Sequence, residues 1–289
     1  MANSGWSEKV LQLLRRMNNF YLPGSCRAHC LRFEVDGAQV GWIPPHVAPL
    51  LTRYPDVFSP PRGGAVALCP GLDTYGRRSE AVDAVLQTLR QEDFLTCLRG
   101  WRDELFELTM ALPAGLFGVK RYGVHLNGYT VGEGGEVSMW LARRSNTKQT
   151  YPGLLDNVAA GGLAAGVGIK HTLIKECQEE ACIPAAIAER AHPVTTVSYT
   201  YEDEEGVFAE SQFVFDLELP LDFKPKVGDG EVHDFYLLPI EEVKDLIATE
   251  DFKPNCAMVV LDFLIRHSFI EPDTEPRYQD FVAALHQTL

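Results

Sequence analysis

Apolar residues in the second half of the chain recur at spacings that predict several strands and one long helix. Alternation of apolar and polar positions, interrupted by short glycine-rich or acidic turns, is typical of half-buried strands. From residue 169 the apolar positions recur at every fourth residue instead, which predicts a helix over residues 169–182. The predicted strands cover residues 122–131, 137–143, 194–201, 207–219 and 232–238, and further helices cover residues 241–248 and 255–267.

The first half of the chain has shorter periodic segments. A helix is predicted over residues 7–17, and an alternating segment at 28–35 turns at Asp36-Gly37 into a second strand at 38–43, which is the pattern of a β-hairpin. Helices are also predicted after Pro44-Pro45, around residues 79–89 with Ser79 as N-cap, and around residues 94–98.

These segments predict an α+β protein of two domains and a tail. Residues 1–114 form a small α+β N-terminal domain, residues 115–270 form a larger domain, and residues 271–289 form a linker and a short amphipathic helix. The boundary is placed where Pro113 and neighbouring small residues interrupt the helical pattern.

The helix over residues 169–182 carries two faces of different chemistry. Its apolar face contains Ile169, Leu173, Cys177 and Ala181, whereas Glu176, Glu179 and Glu180 share another face. Like charges at this spacing repel one another by roughly a few tenths of a kcal/mol per pair. Bound Mg²⁺, which prefers oxygen ligands, offsets that cost and explains the cluster.

A glycine-rich loop directly precedes this helix, and its glycines are Gly161, Gly162 and Gly166. Glycine permits positive φ angles and a close approach of the backbone to a metal ion or a phosphate group. Together the loop and the glutamates resemble the Nudix box, G-x5-E-x7-R-E-U-x-E-E-x-G-U with U apolar. Aligned on Gly161, the chain departs from that pattern at three positions, Val167, Lys175 and Cys182, which replace a glutamate, an arginine and a glycine.

The resemblance implies a mixed sheet sandwiched between helices and Mg²⁺-dependent hydrolysis of phosphoanhydride bonds, with Mn²⁺ as an alternative metal. It implies that Glu176, Glu179 and Glu180 bind the metal and act in catalysis, and that the backbone carbonyl of Ala160 is a further ligand. Lys175 is expected to orient Glu179 through an ion pair at i,i+4.

Longer motifs resemble the Nudix hydrolases related in name to thiamin pyrophosphokinase, which have an extra N-terminal domain. The motifs are WRDELF at 101–106, YGVHLNG at 122–128, RRSNTKQTYPG at 143–153, LDN at 155–157 and VLDFLIRH at 260–267. This resemblance implies hydrolysis of thiamin diphosphate or of its oxidised analogues to a monophosphate and phosphate, with the N-terminal domain in substrate recognition.

Another carboxylate is expected from outside the box. Glu231 precedes a late strand, where such enzymes often have an additional metal ligand or base, and we expect it to act in catalysis. Asp234 is a competing choice, and Glu231 is alternatively an ordinary turn residue.

Substrate-binding residues are expected on the loop after the strand at 137–143 and among nearby polar and aromatic side chains. Arg143, Arg144 and Lys148 are candidates for binding phosphate, or else surface charges. Gly161 and Gly162 are expected to approach the diphosphate. His125 and Asn127 alternate with apolar neighbours, so they line a pocket or form hydrogen bonds within the sheet. The aromatic candidates for ring contact are Trp42, Trp101, Trp140 and Tyr151, of which Trp101 and Tyr151 belong to the subfamily motifs.

Charge and composition restrict the partners. The net charge is −14, and residues 116–289 carry 28 acidic but only 14 basic side chains. Such a surface repels long nucleic acids and is compatible with a small, metal-chelated diphosphate. The seven cysteines form no regular disulfide framework, and the apolar segments are too short to cross a membrane. A cytoplasmic protein is predicted, with a mitochondrial location as the alternative, and the oligomeric state stays open.

The sequence therefore predicts a Mg²⁺-dependent pyrophosphohydrolase of thiamin diphosphate or its oxidised analogues. One alternative keeps the chemistry and changes the substrate to a nucleoside diphosphate, such as an oxidised guanine nucleotide, or to ADP-ribose. Another alternative is a regulator that binds diphosphate without cleaving it.

Overall fold

A computed structural model describes residues 4–93, 95, 98, 114–164 and 166–287 of the chain. Its first half contains the helices α1 (Ser4–Met17), α2 (Ala48–Leu51) and α3 (Tyr75–Gln91), two short 3₁₀ turns (Asn19–Tyr21 and Cys26–His29), and the strands β1 (Leu31–Val35), β2 (Ala38–Ile43) and β3 (Ala65–Ala67). The strands form a small sheet of order β2-β1-β3, in which β1 pairs antiparallel with β2 and parallel with β3.

The predicted hairpin is present, and its turn has the backbone that the sequence requires. Asp36 and Gly37 both adopt positive φ angles, of 52° and 78°, as in the turn type favoured by Asp-Gly. Three expectations need correction. The first strand begins at Leu31 rather than at residue 28, β3 was not predicted, and the N-cap of α3 is Thr74 rather than Ser79, because the Arg77 amide donates to the Thr74 hydroxyl at 3.3 Å. The helix expected around residues 94–98 lies mostly outside the described residues.

The described residues of the second half form six helices and a larger sheet. The helices are α4 (Ala114–Phe117), α5 (Ile169–Ala181), α6 (Ala185–Ala188), α7 (Ile240–Leu246), α8 (Pro254–Arg266) and α9 (Tyr278–Leu285). The strands are β4 (Lys120–Val131), β5 (Val137–Arg144), β6 (Leu155–Asn157), β7 (Ala159–Gly162), β8 (His192–Asp203), β9 (Gly206–Glu218) and β10 (Val232–Pro239). The five longer strands lie in the order β10-β5-β4-β9-β8, while β6 pairs with β5 and β7 pairs with β4.

This larger sheet is mixed and is covered by helices on both faces. β4 and β9 pair parallel, whereas the other pairs are antiparallel. On one face, Val124 and Leu126 of β4 pack in the same core as Leu173 of α5. On the other face, Met139 and Leu141 of β5 pack with α8. The predicted mixed sheet between helices is thus confirmed.

The N-terminal helix belongs to the core of the larger sheet. Trp6, Val10 and Leu14 of α1 pack in one buried cluster with residues of α8 and α9. A separate cluster around the small sheet joins Phe33 to Phe117. The sequence places α1 in the N-terminal domain and α9 in a tail, and in the structure the apolar faces of both helices pack in the core beside the larger sheet. The boundary at residue 114 remains a prediction, since residues 101–113 are outside the described part of the chain.

Candidate functional site

The glutamate-bearing helix α5 is held beside the short strand β7. In the sheet, β7 pairs with β4 so that Ala160 lies opposite His125 and Gly161 opposite Val124. The Glu180 side chain accepts a hydrogen bond from the Ala160 amide at 2.9 Å. Glu180 therefore connects the last turn of α5 to the backbone position that the box resemblance identifies as a metal ligand.

Gly161 is required by the close approach of Glu176. A Cβ atom on Gly161 would lie 2.2 Å from Cδ of Glu176 and 2.6 Å from its Oε1, far inside van der Waals contact. Any other residue would push the Glu176 carboxylate away from β7. The first glycine of the box thus makes space for one of its own glutamates.

Lys175 forms the ion pair that the sequence predicts. Its Nζ lies 2.6 Å from Oε2 of Glu179 and 3.5 Å from Oε1 of Glu176. The side chain of Glu179 is 46% exposed, while that of Glu176 is only 17% exposed. One ammonium group therefore neutralises part of the repulsion between two carboxylates, although a point charge orients them less strictly than a guanidinium fork does.

Burial disfavours the charged forms of Glu176 and Glu180. Burial raises the pKa of Glu180 to about 8, although the hydrogen bond from Ala160 favours its charged form. Burial is also the main cause that raises the pKa of Glu176, and the charges of Glu179 and Glu231 add to it. Glu176 and Glu180 lie against β7, and Glu179 shares Lys175 with Glu176, so the cluster offers hard oxygen donors. This donor set fits Mg²⁺ or Mn²⁺, which would favour the charged forms of Glu176 and Glu180.

Glu231 lies near these glutamates and is tied to the loop after β5. It forms an ion pair with Lys148, and its carbonyl accepts a hydrogen bond from the Ser145 amide at 2.9 Å. The negative charge of Glu231 also contributes to the raised pKa of Glu176. The competing residue, Asp234, instead accepts a hydrogen bond from the neighbouring Phe235 amide at 2.9 Å. A catalytic role for Glu231 and a phosphate-binding role for Lys148 remain predictions.

The two arginines expected at phosphate are engaged within the protein. Arg144 is buried, and its guanidinium donates to the carbonyls of Tyr151 and Thr150 at 2.9 and 2.7 Å and to Asp156 at 2.7 Å. Arg143 donates to the Gly153 carbonyl at 3.0 Å and to Asp251 at 2.6 Å. The expectation for Arg144 needs correction, because all three of its nitrogens already have partners and it supports the loop before β6.

His125 and Asn127 lie inside the protein instead of lining an open pocket. They are 4% and 1% exposed, because the face of β4 opposite the apolar residues is covered as well. The Nδ1 atom of His125 lies 2.9 Å from the amide oxygen of Asn157, and the Asn127 amide donates to Asp216 at 3.0 Å. Of the two readings that the sequence left open, hydrogen bonding within the sheet is the one observed.

A buried polar network surrounds His125. The thiol of Cys256 donates to Oδ1 of Asp156 at 2.7 Å, while Lys253 and Arg144 lie 3.1 and 2.7 Å from Oδ2. Burial by itself would raise the pKa of Asp156, but Lys253 and Arg144 lower it overall. Although a histidine, an aspartate and a cysteine meet here, two cations already neutralise the aspartate, so a metal ion would add a third positive centre to a buried site.

A large cleft lies beside the box, between the small sheet and the larger one. Its volume is about 1180 Å³, and its walls include Tyr21, Arg27 and Trp42 from the first half of the chain. Lys120, Tyr122 and Val167 line the opposite side. Of these cleft residues, Trp42 was a candidate from the sequence, but Arg27 and Lys120 were not. No sequence motif marks residues that come together only when the two sheets pack against each other. Trp140 is buried, Tyr151 does not line the cleft, and Trp101 is outside the described residues.

The backbone at the C-terminal end of α5 has a conformation that suits glycine, the usual residue of the box there, better than the cysteine of this chain. Cys182, at the position of the last box glycine, adopts the left-handed conformation with φ 51° and ψ 32°. The following amide, of Ile183, donates to the carbonyl of Cys177 at 2.9 Å and closes the helix. The local fold of the box is therefore kept although its glycine is absent.

Family models and relatives agree with this geometry. A model described as the NUDIX domain matches residues 123–256, and one described as a domain of unknown function, DUF4743, matches residues 9–126. None of the helices in the described residues is long and apolar enough to cross a membrane. The subfamily related to thiamin pyrophosphokinase, and the compartment, are not decided by these matches.

Three relatives cover most of the chain. Nudix hydrolase 20, chloroplastic, of Arabidopsis thaliana is 38% identical over 265 residues, 84% of this chain and 69% of that protein. Nudix hydrolase 24, chloroplastic, of the same plant is 36% identical over 266 residues, 88% of this chain and 72% of that protein. The uncharacterized protein YJR142W of Saccharomyces cerevisiae is 36% identical over 239 residues, 75% of this chain and 70% of that protein. With its glutamate helix packed against β7, the chain belongs to the Nudix hydrolases, which act on phosphoanhydride bonds.

Proposed function

We propose that the protein hydrolyses the phosphoanhydride bond of a small diphosphate with Mg²⁺, while the ring of the substrate occupies the cleft. The observation that carries this proposal is the position of Glu176 and Glu180, which meet β7 at Ala160 and Gly161. The loop that leads from β7 into α5 also forms one wall of the cleft through Val167. Diphosphate and ring can therefore bind on either side of one loop.

In this proposal each residue of the cluster has its own role. Glu176, Glu179 and Glu180 would hold Mg²⁺, which neutralises charge on the diphosphate when it is bound. Lys175 keeps Glu179 in place, and the Ala160 amide keeps Glu180 in place. Glu231 is the candidate for a base from outside the box.

The preferred substrate is thiamin diphosphate or an oxidised analogue of it, which would yield a monophosphate and phosphate. Sequence motifs shared with the hydrolases related to thiamin pyrophosphokinase support this choice. The flat rings of such substrates also match the aromatic side chains Tyr21, Trp42 and Tyr122 in the cleft. Through Tyr21 and Trp42 the N-terminal half would take part in substrate recognition.

A nucleoside diphosphate is the second candidate because of the charge of the cleft. Arg27 and Lys120 line it, and none of the lining side chains among the described residues is a carboxylate. A nucleobase is flat and neutral, so the same aromatic walls would accept it without a charge conflict.

Release of phosphate from a panel of diphosphates tests the proposal. The panel contains thiamin diphosphate, an oxidised thiamin diphosphate, ADP, an oxidised guanine nucleotide and ADP-ribose, each with Mg²⁺ or with EDTA. ADP-ribose is scored by its two monophosphate products. Glu180→Gln removes one carboxylate of the cluster, and Glu80→Gln on the exposed surface of α3 is the matched control.

We expect metal-dependent turnover of one class, retained in Glu80→Gln and reduced by at least about 100-fold in Glu180→Gln. Equal turnover by Glu180→Gln and the parent would overturn the role of the glutamates. Tight binding of a diphosphate without turnover would instead support the non-catalytic regulator.

A further inference from the structure

We propose that Cys26 and Cys30 form a site of reversible oxidation, at which an intramolecular disulfide alters the wall of the cleft. Neither residue belongs to the box or to the glutamate cluster. The oxidation itself does not depend on the proposed function, whereas its effect on substrate binding rests on that function.

The two thiols are brought together by a short turn. The 3₁₀ turn Cys26–His29 is closed by a hydrogen bond of 3.0 Å from the Cys30 amide to the Cys26 carbonyl. Such a bond between residues four apart sets their Cα atoms about 6 Å from each other, which is inside the usual range for a disulfide. The two Sγ atoms lie 3.3 Å apart. They are about 2.05 Å apart in a disulfide, so a small closure of the turn is sufficient to form one.

Other thiols of the described residues have different partners. Cys69 donates to a backbone carbonyl at 3.1 Å, and the buried Cys256 donates to Asp156 at 2.7 Å. Cys26 and Cys30 instead contact each other, and both are only half-buried. A small oxidant can therefore reach both sulfurs of this pair.

Glu202 of β8 holds the first cysteine of the pair and controls its proton. Its two carboxylate oxygens accept hydrogen bonds from the Cys26 amide at 2.9 and 3.0 Å. Burial raises the pKa of both thiols, and a side-chain hydrogen bond to Glu202 raises the pKa of Cys26 further. Because the thiolate is the reactive form, oxidation is slow and begins at Cys30. The reduced pair also lacks the stabilisation that a low thiol pKa gives, so the disulfide resists reduction once it has formed.

Hydrogen peroxide is the class of oxidant that fits a half-buried pair. The Cys30 thiolate attacks one peroxide oxygen, the O–O bond breaks, and the departing hydroxide takes up a proton to give water and a sulfenic acid. The Cys26 thiol then attacks the sulfenic sulfur, the S–O bond breaks, and the hydroxyl leaves with the thiol proton as a second water. Two thiols lose two electrons in total, and one peroxide is reduced to two waters.

Closure of the turn acts on the cleft because Arg27 lies between the two cysteines. Its guanidinium carbon lies 5.0 Å from the ring centre of Tyr21 and 5.8 Å from that of Trp42, and all three side chains line the cleft. Disulfide formation draws the sulfurs together by about 1 Å and shifts the turn that carries Arg27. None of the glutamates of α5 lines the cleft. The disulfide should therefore change substrate binding and leave the chemical step unchanged.

Peptide mapping of the full-length protein detects the bond directly. Trypsin cuts after Arg27, so residues 17–27 and 28–32 separate in the reduced protein but stay joined by a disulfide between Cys26 and Cys30. The protein is treated with hydrogen peroxide at a mildly alkaline pH, which increases the thiolate fraction, and the peroxide is then removed with catalase. Free thiols are alkylated, and the monomer band of a non-reducing gel is digested and analysed by mass spectrometry.

Serine variants provide the controls. Cys26→Ser and Cys30→Ser each remove one partner of the bond. Cys69→Ser is the matched control, because it removes another half-buried thiol from the first half of the chain that has no thiol as its partner.

We expect the joined peptides in the oxidised parent and in oxidised Cys69→Ser, but not in the other two variants, and dithiothreitol should separate them. For a diphosphate that the reduced parent hydrolyses, oxidation should raise KM by about threefold, the effect of losing one stacking contact with the substrate ring, and should leave kcat within twofold. Dithiothreitol should restore the original KM. Cys26→Ser and Cys30→Ser should keep the same KM before and after peroxide treatment.

Two results would overturn the inference. Peptides that stay separate in the oxidised parent would show that the two sulfurs do not bond. Joined peptides with an unchanged KM would show that the bond does not act on the cleft. If the reduced protein hydrolyses no diphosphate of the panel, the proposed function fails while the peptide map still decides whether the disulfide forms. Calorimetric binding of the same diphosphates then replaces KM, and equal affinity of the oxidised and reduced protein would refute the action on the cleft.

Discussion

Replacing Gly161 by alanine is expected to damage catalysis much more than folding. The new Cβ atom would lie 2.2 Å from Cδ of Glu176, whereas ordinary contacts begin near 3.4 Å, so the carboxyl group must move by about 1 Å. A displacement of that size in a catalytic group costs on the order of 100-fold in rate. Glu176 is 17% exposed and can turn towards solvent, so the free energy of unfolding should fall by only about 1 kcal/mol.

The assay combines steady-state hydrolysis with thermal denaturation of the same samples. Gly76→Ala is the control, because no atom lies within 4 Å of the added Cβ and alanine favours the helix α3. It should keep full activity and slightly raise the melting temperature. If Gly161→Ala keeps kcat within twofold of the parent, the position of Glu176 against β7 does not matter for the reaction, and the argument from the box geometry is wrong.

Four further outcomes follow from the structure. Lys253→Met should lower the free energy of unfolding, measured in urea at pH 7, by about 3 kcal/mol, because it leaves the buried Asp156 with one cation fewer. Adding Asp156→Asn should recover part of this loss. If the effects of the two substitutions were fully additive, the pairing of Lys253 with Asp156 would be contradicted. Because the folded-state pKa of Asp156 is lowered, the pair stabilises fully above about pH 4 and loses its effect as the pH falls through that lower pKa. Cys182→Gly should raise the melting temperature by about 1–2 °C by relieving a left-handed residue, whereas Cys182→Ala should not. Mg²⁺ should raise the melting temperature of the parent by binding the folded state and should raise that of Glu180→Gln much less; equal shifts would place the ion elsewhere.

The sequence predicts the segments whose signals are local. The helix expected at 169–182 is observed as Ile169–Ala181, because its apolar period and the preceding glycines both lie within the segment. The long strands of the larger sheet are likewise found within a few residues of their predicted ends. Short strands such as β3, β6 and β7 were not predicted, since three or four residues carry no reliable period.

What the sequence could not predict depends on contacts between distant segments. The sequence suggests Arg144 as a phosphate ligand, but in the structure its guanidinium donates to Asp156 and to loop carbonyls instead. His125 and Asn127 alternate with apolar residues, but a sheet covered on both faces buries both sets. Arg27 lines the cleft because the small sheet lies against the larger one. The glutamate cluster can thus be found in the sequence, whereas the residues that line the cleft beside it cannot.

The packing of α1 has a practical meaning for dissecting this enzyme. Trp6, Val10 and Leu14 share a buried cluster with residues of α8 and α9, although the small sheet lies between α1 and these helices in the chain. Truncation at the proposed boundary near residue 114 would remove α1 and expose the apolar core surface that it covers. A shortened version that is meant to stay in solution should therefore keep the first twenty or so residues and splice out only the intervening segment.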